Sequence, residues 1–175
     1  MRKSQSQGWH VLYVKSRHEK KVYEKLLENN LEAYLPLVLT ERKWSDRVKK
    51  VLMPLIKSYV FVNINTAMDF YKALSVSGVC SYISFGNDYA IVKDEEIEKL
   101  KFLIEVEGIS EISIKEETLC LGEHRVISSG PLAGLECEVL QIKNKSMVTV
   151  RLGALKQNVV ATVPSEYLSE FSKAM

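Results

Sequence analysis

Ser58-Tyr59-Val60-Phe61-Val62-Asn63-Ile64 is the stretch on which the fold turns. Most of its residues are β-branched or aromatic, and their character alternates, the pattern of a strand with two different faces. Side chains two apart share a face, so Val60, Val62 and Ile64 line an aliphatic side while Tyr59 and Phe61 line an aromatic one. Trp9 to Lys15 repeats the pattern, with Trp9, Val11 and Tyr13 alternating against His10, Leu12 and Val14. Two such strands side by side give one face on which helices can pack and one face bearing aromatic rings. That second face is either core or a docking surface, and the function depends on which.

Between these strands, Ser16-Arg17-His18-Glu19 matches a capping box, with Ser16 at the N-cap and Glu19 at the third helical position. The helix it opens runs to Asn29-Asn30, with Val22, Tyr23, Leu26 and Leu27 as its apolar stripe. Tyr34 to Leu39 reads as a strand broken by Pro36. The basic segment 41–50 comes next as a hairpin or loop with its turn at Ser45-Asp46. Val51 to Ile56, interrupted by Pro54, leads into the central strand. A short helix starts at Thr66-Ala67-Met68-Asp69, Gly78 to Phe85 forms a further strand, and Asp94 caps a third helix carrying Ile97, Leu100, Leu103 and Ile104. The order β-α-β-β-β-α-β-α predicts an α+β domain on an antiparallel sheet over residues 8–106. Residues 107–118, rich in glutamate and lacking a clean period, read as a linker. Short strands at 125–127, 136–142, 147–152 and 159–163 then predict a small β-barrel within 119–171.

Composition narrows the function classes. The chain has 175 residues, 46% hydrophobic and 26% charged, as in ordinary globular proteins. No run approaches the length of a membrane span, and the polar start is not read as a secretory signal. Three cysteines without CxxC pairing suit a reducing cytoplasm and predict neither disulfides nor zinc. There is no GxSxG, Walker loop, HExxH or dinucleotide turn, and His10, His18 and His124 lie in separate elements. No enzyme, cofactor or metal site is therefore expected. Net charge is +2, but residues 1–57 hold 13 Lys and Arg against 6 Asp and Glu. A basic front on a nearly neutral chain points to a polyanion or acidic surface as one partner.

The segment 122–139 is the most specific. An apolar strand at Arg125-Val126-Ile127 enters the Gly130-Pro131 turn, and Gly134 precedes Leu135, which opens the next strand; glycine belongs where φ must be positive or backbones must approach closely. This resembles the KOW motif, with Cys137-Glu138 standing where family members often carry a glycine. Trp9 to Lys15 followed by Arg17-His18-Glu19-Lys20-Lys21-Val22 resembles the opening of the NGN domain of NusG-type transcription elongation factors. Pro54-Leu55-Ile56-Lys57-Ser58-Tyr59-Val60-Phe61-Val62 resembles that domain's central block, although Ile56-Lys57 replaces a usual aromatic-proline pair. Gly78-Val79 and Ala90-Ile91-Val92 continue the likeness, which covers residues 8–171.

The resemblance implies a factor that binds RNA polymerase and suppresses pausing or termination. The Lys-Ser-Arg-His-Glu opening and short KOW end look like a specialised paralogue dedicated to an operon such as one for polysaccharide biosynthesis. By position it implies that Tyr13, Leu55, Ile56, Tyr59 and Phe61 grip the clamp helices of the polymerase. Aromatic anchors in a desolvated patch are what binding hot spots use, each worth about 2 kcal/mol or more. The alternative is core beneath a helix, weighing most on Phe61. Lys15, Arg17, His18, Lys21 and Lys25 surround the start of the first helix, where free N–H groups suit phosphate. The resemblance directs them at single-stranded non-template DNA; the alternative is a solvated amphipathic helix. The 41–50 hairpin, with Trp44 among its cations, could stack on a base or be only a soluble tip. Asp69-Phe70-Tyr71-Lys72 lies where some family members touch a second polymerase element. The KOW barrel implies a further partner, a ribosomal protein or termination factor. A ribosome-associated RNA-binding KOW protein is the rival reading, and it would need a more basic 119–171.

Overall fold

The computed structural model describes residues 7–43, 47–86, 88–106, 109–116, 123–127, 136–142, 145–152, 155, 157–163 and 171–173. Two units divide the chain, Met1–Asp94 and Glu95–Met175.

In the first unit the two alternating stretches pair as expected. Strand β1 (Gly8–Val14) lies antiparallel to β5 (Tyr59–Ile64), with Trp9 opposite Asn63, Val11 opposite Phe61 and Tyr13 opposite Tyr59. The sheet runs β2 (Ala33–Tyr34), β5, β1, β6 (Val79–Tyr82), and β9 (Ile91–Val92) also pairs with β1. On the β6 side the register shifts between Tyr13 and Val14, so the strand carries a local irregularity at Tyr13. The aliphatic face of β1 and β5 buries Leu12, Val14, Val60, Val62 and Ile64 with Val22 and Leu26 of helix α1 (Glu19–Glu28) and Phe70 and Ala73 of helix α2 (Ala67–Ser75). This is the helix-packing face that alternation predicts. One member of the expected α1 stripe departs from it: Leu27 is exposed.

Helix α2 begins with a reciprocal cap, the Asp69 N–H donating to Thr66 Oγ1 and the Thr66 N–H donating to the Asp69 carboxylate. Phe70 stacks on Tyr82 with ring centroids 4.1 Å apart, and His10, wholly buried, meets Phe70, Tyr82 and Tyr89 edge-on. The Tyr82 hydroxyl donates to the Phe70 carbonyl at 3.0 Å. Burial, with Tyr89 and Asp69 adding to it, pushes the Tyr82 phenol well above its ordinary range, so it is neutral wherever the protein is folded near neutral pH.

The break expected at Pro36 is present, and the strands beyond it are longer than alternation predicts. Strands β3 (Leu37–Lys43) and β4 (Val48–Pro54) form their own two-stranded ribbon. The turn expected at Ser45-Asp46 lies outside the described residues. A short pair, β7 (Ser84–Phe85) with β8 (Asp88–Tyr89), completes the unit's described strands.

In the second unit, helix α3 (Asp94–Glu105) buries Ile97, Leu100 and Leu103. Six antiparallel strands come after it in the order β10 (Ser110–Glu116), β14 (Gln157–Val163), β13 (Lys145–Leu152), β12 (Glu136–Ile142), β11 (Glu123–Ile127), β15 (Phe171–Lys173). Strand β10 occupies most of the stretch read as a linker. Its isolated isoleucines pair through the backbone with β14, Ile114 opposite Val159, and ladder hydrogen bonds need no hydrophobic period to declare themselves. The Gly130-Pro131 turn and Gly134, on which the KOW likeness rests, lie outside the described residues.

Candidate functional site

The aromatic face of β1 and β5 divides along its length. Trp9, Val11 and Phe61 are buried, and Phe61 stacks against Tyr34 of β2 with ring centroids 6.3 Å apart. At the far end, Tyr13 is 44% exposed and Tyr59 half-buried. They are directly opposed across the strands, with rings 6.0 Å apart in an edge-to-face arrangement. Leu55, in the turn before β5, is half-buried, whereas Ile56 beside it is buried. Of the five residues expected in the docking patch, Tyr13, Tyr59 and Leu55 therefore reach the surface. Ile56 and Phe61 are corrected to interior positions. Phe61 shares the face of Tyr59 but lies two residues further into the sheet, flanked across the strands by Val11 of β1 and Tyr34 of β2.

The turn that presents Leu55 and leads into Tyr59 is held from a distance. Ser58 has φ +63, a left-handed conformation that costs a residue with a side chain on the order of 1–2 kcal/mol. Both its backbone groups are satisfied: its carbonyl accepts from the Val14 N–H at 2.9 Å, and its N–H donates to Glu19 Oε1 at 2.8 Å. Glu19 is buried, and it lies 39 residues before the group it binds. This corrects the expected capping box. Helix α1 starts after His18, which makes no side-chain cap, so Glu19 is its first residue and not its third, and the Glu19 carboxylate serves the Ser58 turn. Sequence reasoning missed Glu19 as a brace; its only signal was an acidic residue at a helix start, which has the cap as its ordinary explanation.

The basic residues converge at the same end of the sheet. Lys15 follows β1 directly, and its N–H donates to the Gly78 carbonyl at 2.9 Å. Gly78 has φ +106, and a Cβ there would meet Val22 Cγ2 at 2.9 Å, so a glycine is needed for β6 to approach α1 this closely. Arg17 also adopts a left-handed backbone, φ +65, in the tight turn between β1 and α1. Lys15, Arg17 and Lys21 are exposed around the uncapped start of α1. His18 is half-buried, its Nδ1 lying 3.1 Å from the Ser16 carbonyl oxygen, and Lys25 is half-buried in the last turn. The structure thus brings three of the five expected cations together in the open, next to helical N–H groups and the positive end of the helix dipole. A polar, cationic edge and an apolar, aromatic edge meet across Ser58 and Glu19. Such a site offers apolar contact at one edge and cationic contact at the other. Among the described residues no group of His, Cys, Asp and Glu could hold a metal ion.

Residues 7–101 match the family model described as transcription termination factor NusG. No curated protein matches the sequence. Among solved structures, the chain is similar to NusG of Thermotoga maritima, from work on domain interaction in that protein, with a TM-score of 0.50 and 22% identity over 97% of this chain and 98% of that one. It is also similar to the MjSpt4:Spt5 complex in conformation A, with a TM-score of 0.33 and 17% identity over 95% and 99% of the two chains. The first likeness is one of fold.

Proposed function

This chain belongs to the NusG family, and from that premise we propose that it is a transcription elongation factor that docks on RNA polymerase through the Tyr13–Tyr59 end of its first sheet. The observation that carries the reading is the pair itself. Two opposed tyrosines stay at least half-open on a strand pair whose other rings on that face, Trp9 and Phe61, are buried, within the region that matches the family. Leu55 extends the patch, and Ile56 and Phe61 support it from beneath. Tyrosine is suited to such a place because it offers a large apolar body with a polar tip and few rotatable bonds to freeze.

The docking partner in this reading is the pair of clamp helices, and the consequence is a bias toward the closed, processive polymerase. Binding alone can produce that bias, provided affinity for the closed state exceeds affinity for the open one. Pausing and termination are then suppressed in the cytoplasm, for an operon such as one directing polysaccharide synthesis. The KOW segment recruits the second partner, a ribosomal protein or termination factor. Affinity purification of the tagged chain is expected to recover polymerase subunits; recovery of ribosomes without polymerase would replace this reading with that of an RNA-binding ribosome-associated protein.

Lys15, Arg17 and Lys21 face the non-template DNA strand in the same complex. Arg17→Glu reverses one exposed charge beside the α1 N-terminus. It is expected to weaken crosslinking to non-template DNA in the elongation complex and to lower the salt dependence by about 0.7 per lost phosphate contact. An unchanged crosslink would leave these residues as a solvated helix face.

A further inference from the structure

The β3–β4 ribbon outruns the unit that carries it. Its ladder extends from Leu37 opposite Pro54 to Lys43 opposite Val48. From Leu39 and Leu52 outward, the described side chains are exposed on both faces, apart from a half-buried Val51. The free arm is thus five residues per strand, about 17 Å at ~3.4 Å per residue. A two-stranded ribbon alone is marginal in water, and like charges directly opposed across it weaken it further. Yet Arg42 stands directly across from Lys49. The opposite face sets Leu39 against Leu52, 62% and 50% exposed, and Glu41 against Lys50, whose Nζ lies 3.8 Å from the Glu41 carboxylate. Both faces therefore carry a cation. At the arm's base, Lys20 Nζ of α1 donates to the Leu52 carbonyl at 2.8 Å, so the arm leaves the unit beside the basic helix.

We propose that this arm binds duplex DNA by entering its major groove. A polyanion relieves the repulsion between Arg42 and Lys49, which nothing in the ribbon's described pairing does. The major groove of B-form DNA, about 12 Å wide, is broad enough for a two-stranded ribbon. An inserted ribbon turns one face to each phosphate wall, with Arg42 and Lys49 toward one and Lys50, beside its Glu41 partner, toward the other. Duplex RNA fails this fit because its deep major groove is too narrow, and a single strand has no second wall. None of the residues assigned to polymerase docking takes part, so duplex binding by the arm stands or falls without that assignment.

Binding of the full chain to a fluorescein-labelled DNA duplex of about 20 base pairs, followed by anisotropy between about 50 and 200 mM salt, tests it. The Arg42→Glu/Lys49→Glu variant is expected to bind at least tenfold more weakly, with the slope of log affinity against log salt reduced by about 1.8, or ~0.9 for each of two phosphates. Arg42→Ala/Lys49→Ala, which leaves the ladder without a charge clash, is expected to move both quantities the same way. Arg17→Glu, on the other basic surface, is expected to leave the effect of the double substitution in place. Duplex binding by the arm is overturned if the double variants bind as the unsubstituted chain does, if the chain has no measurable affinity for the duplex, or if duplex RNA or the single strand binds as tightly as duplex DNA.

Discussion

Substituting both Tyr13 and Tyr59 by alanine is expected to weaken binding to purified RNA polymerase between about 30-fold and 1,000-fold. Each tyrosine in a desolvated hot spot is worth about 2 kcal/mol, or roughly 30-fold. Two independent losses multiply, but the rings touch at 6.0 Å, so their contributions are coupled and the double variant need not reach the full product. The fold is expected to survive, because Tyr13 is 44% exposed and the β1–β5 ladder is made by backbone groups. Phe61→Ala serves as the contrast. Its ring is buried, so its effect runs through stability and not through the patch. Equilibrium binding with circular dichroism on the same samples separates the two. A double variant that binds polymerase within threefold of the unsubstituted chain would end the docking assignment.

Replacing Phe70 by alanine is expected to lower stability by about 3–5 kcal/mol, the usual range for deleting a buried phenylalanine ring. Phe70 is the larger of the two α2 side chains, with Ala73, buried in the core against the sheet. Its ring lies 4.1 Å from Tyr82, meets His10 edge-on and is tilted against Tyr89 at 5.0 Å. Removing it leaves a cavity bounded by rings that cannot collapse without moving β1 or β6. The carbonyl that accepts from Tyr82 is backbone and persists in the variant, so the loss measures the ring and not that hydrogen bond. Phe70→Leu keeps most of the volume and is expected to cost much less. Urea denaturation followed by circular dichroism measures both, and a loss below about 1 kcal/mol for alanine would mean that α2 is held by something other than this cluster.

The same cluster shows what could be read from residues in order and what could not. Alternation in Trp9 to Lys15 and Ser58 to Ile64 was enough to place Leu12, Val60 and Val62 on one face and Tyr13 and Tyr59 on the other, because the direction of a strand's side chains is a local property of the chain. Helix α2 was legible for a similar reason, its start at Thr66 to Asp69 being contained within four residues. The β10 strand was not legible: its order comes from β14, far along the chain, and its own sequence lacks a period. Phe61 and Tyr59 looked alike, yet one is sealed and the other half-open, since burial depends on what the rest of the chain lays over each position.

Glu19 marks the boundary most clearly. As a string, Ser16 to Glu19 satisfies a capping box, and a capping box needs only its own neighbours. In the fold, the Ser58 N–H lies 2.8 Å from the carboxylate and the side chain turns there, linking the basic edge of the sheet to its aromatic edge. Residue order alone places the main strands and helices of the first unit to within a few residues and says which residues of β1 and β5 share each face, because those follow from torsion angles and periodicity along a few residues. Which rings remain accessible, which carboxylate braces the Ser58 turn and how far the β3–β4 ribbon stands clear are settled later, by folding, because exposure and long-range hydrogen bonding are set by chain segments that meet only in three dimensions.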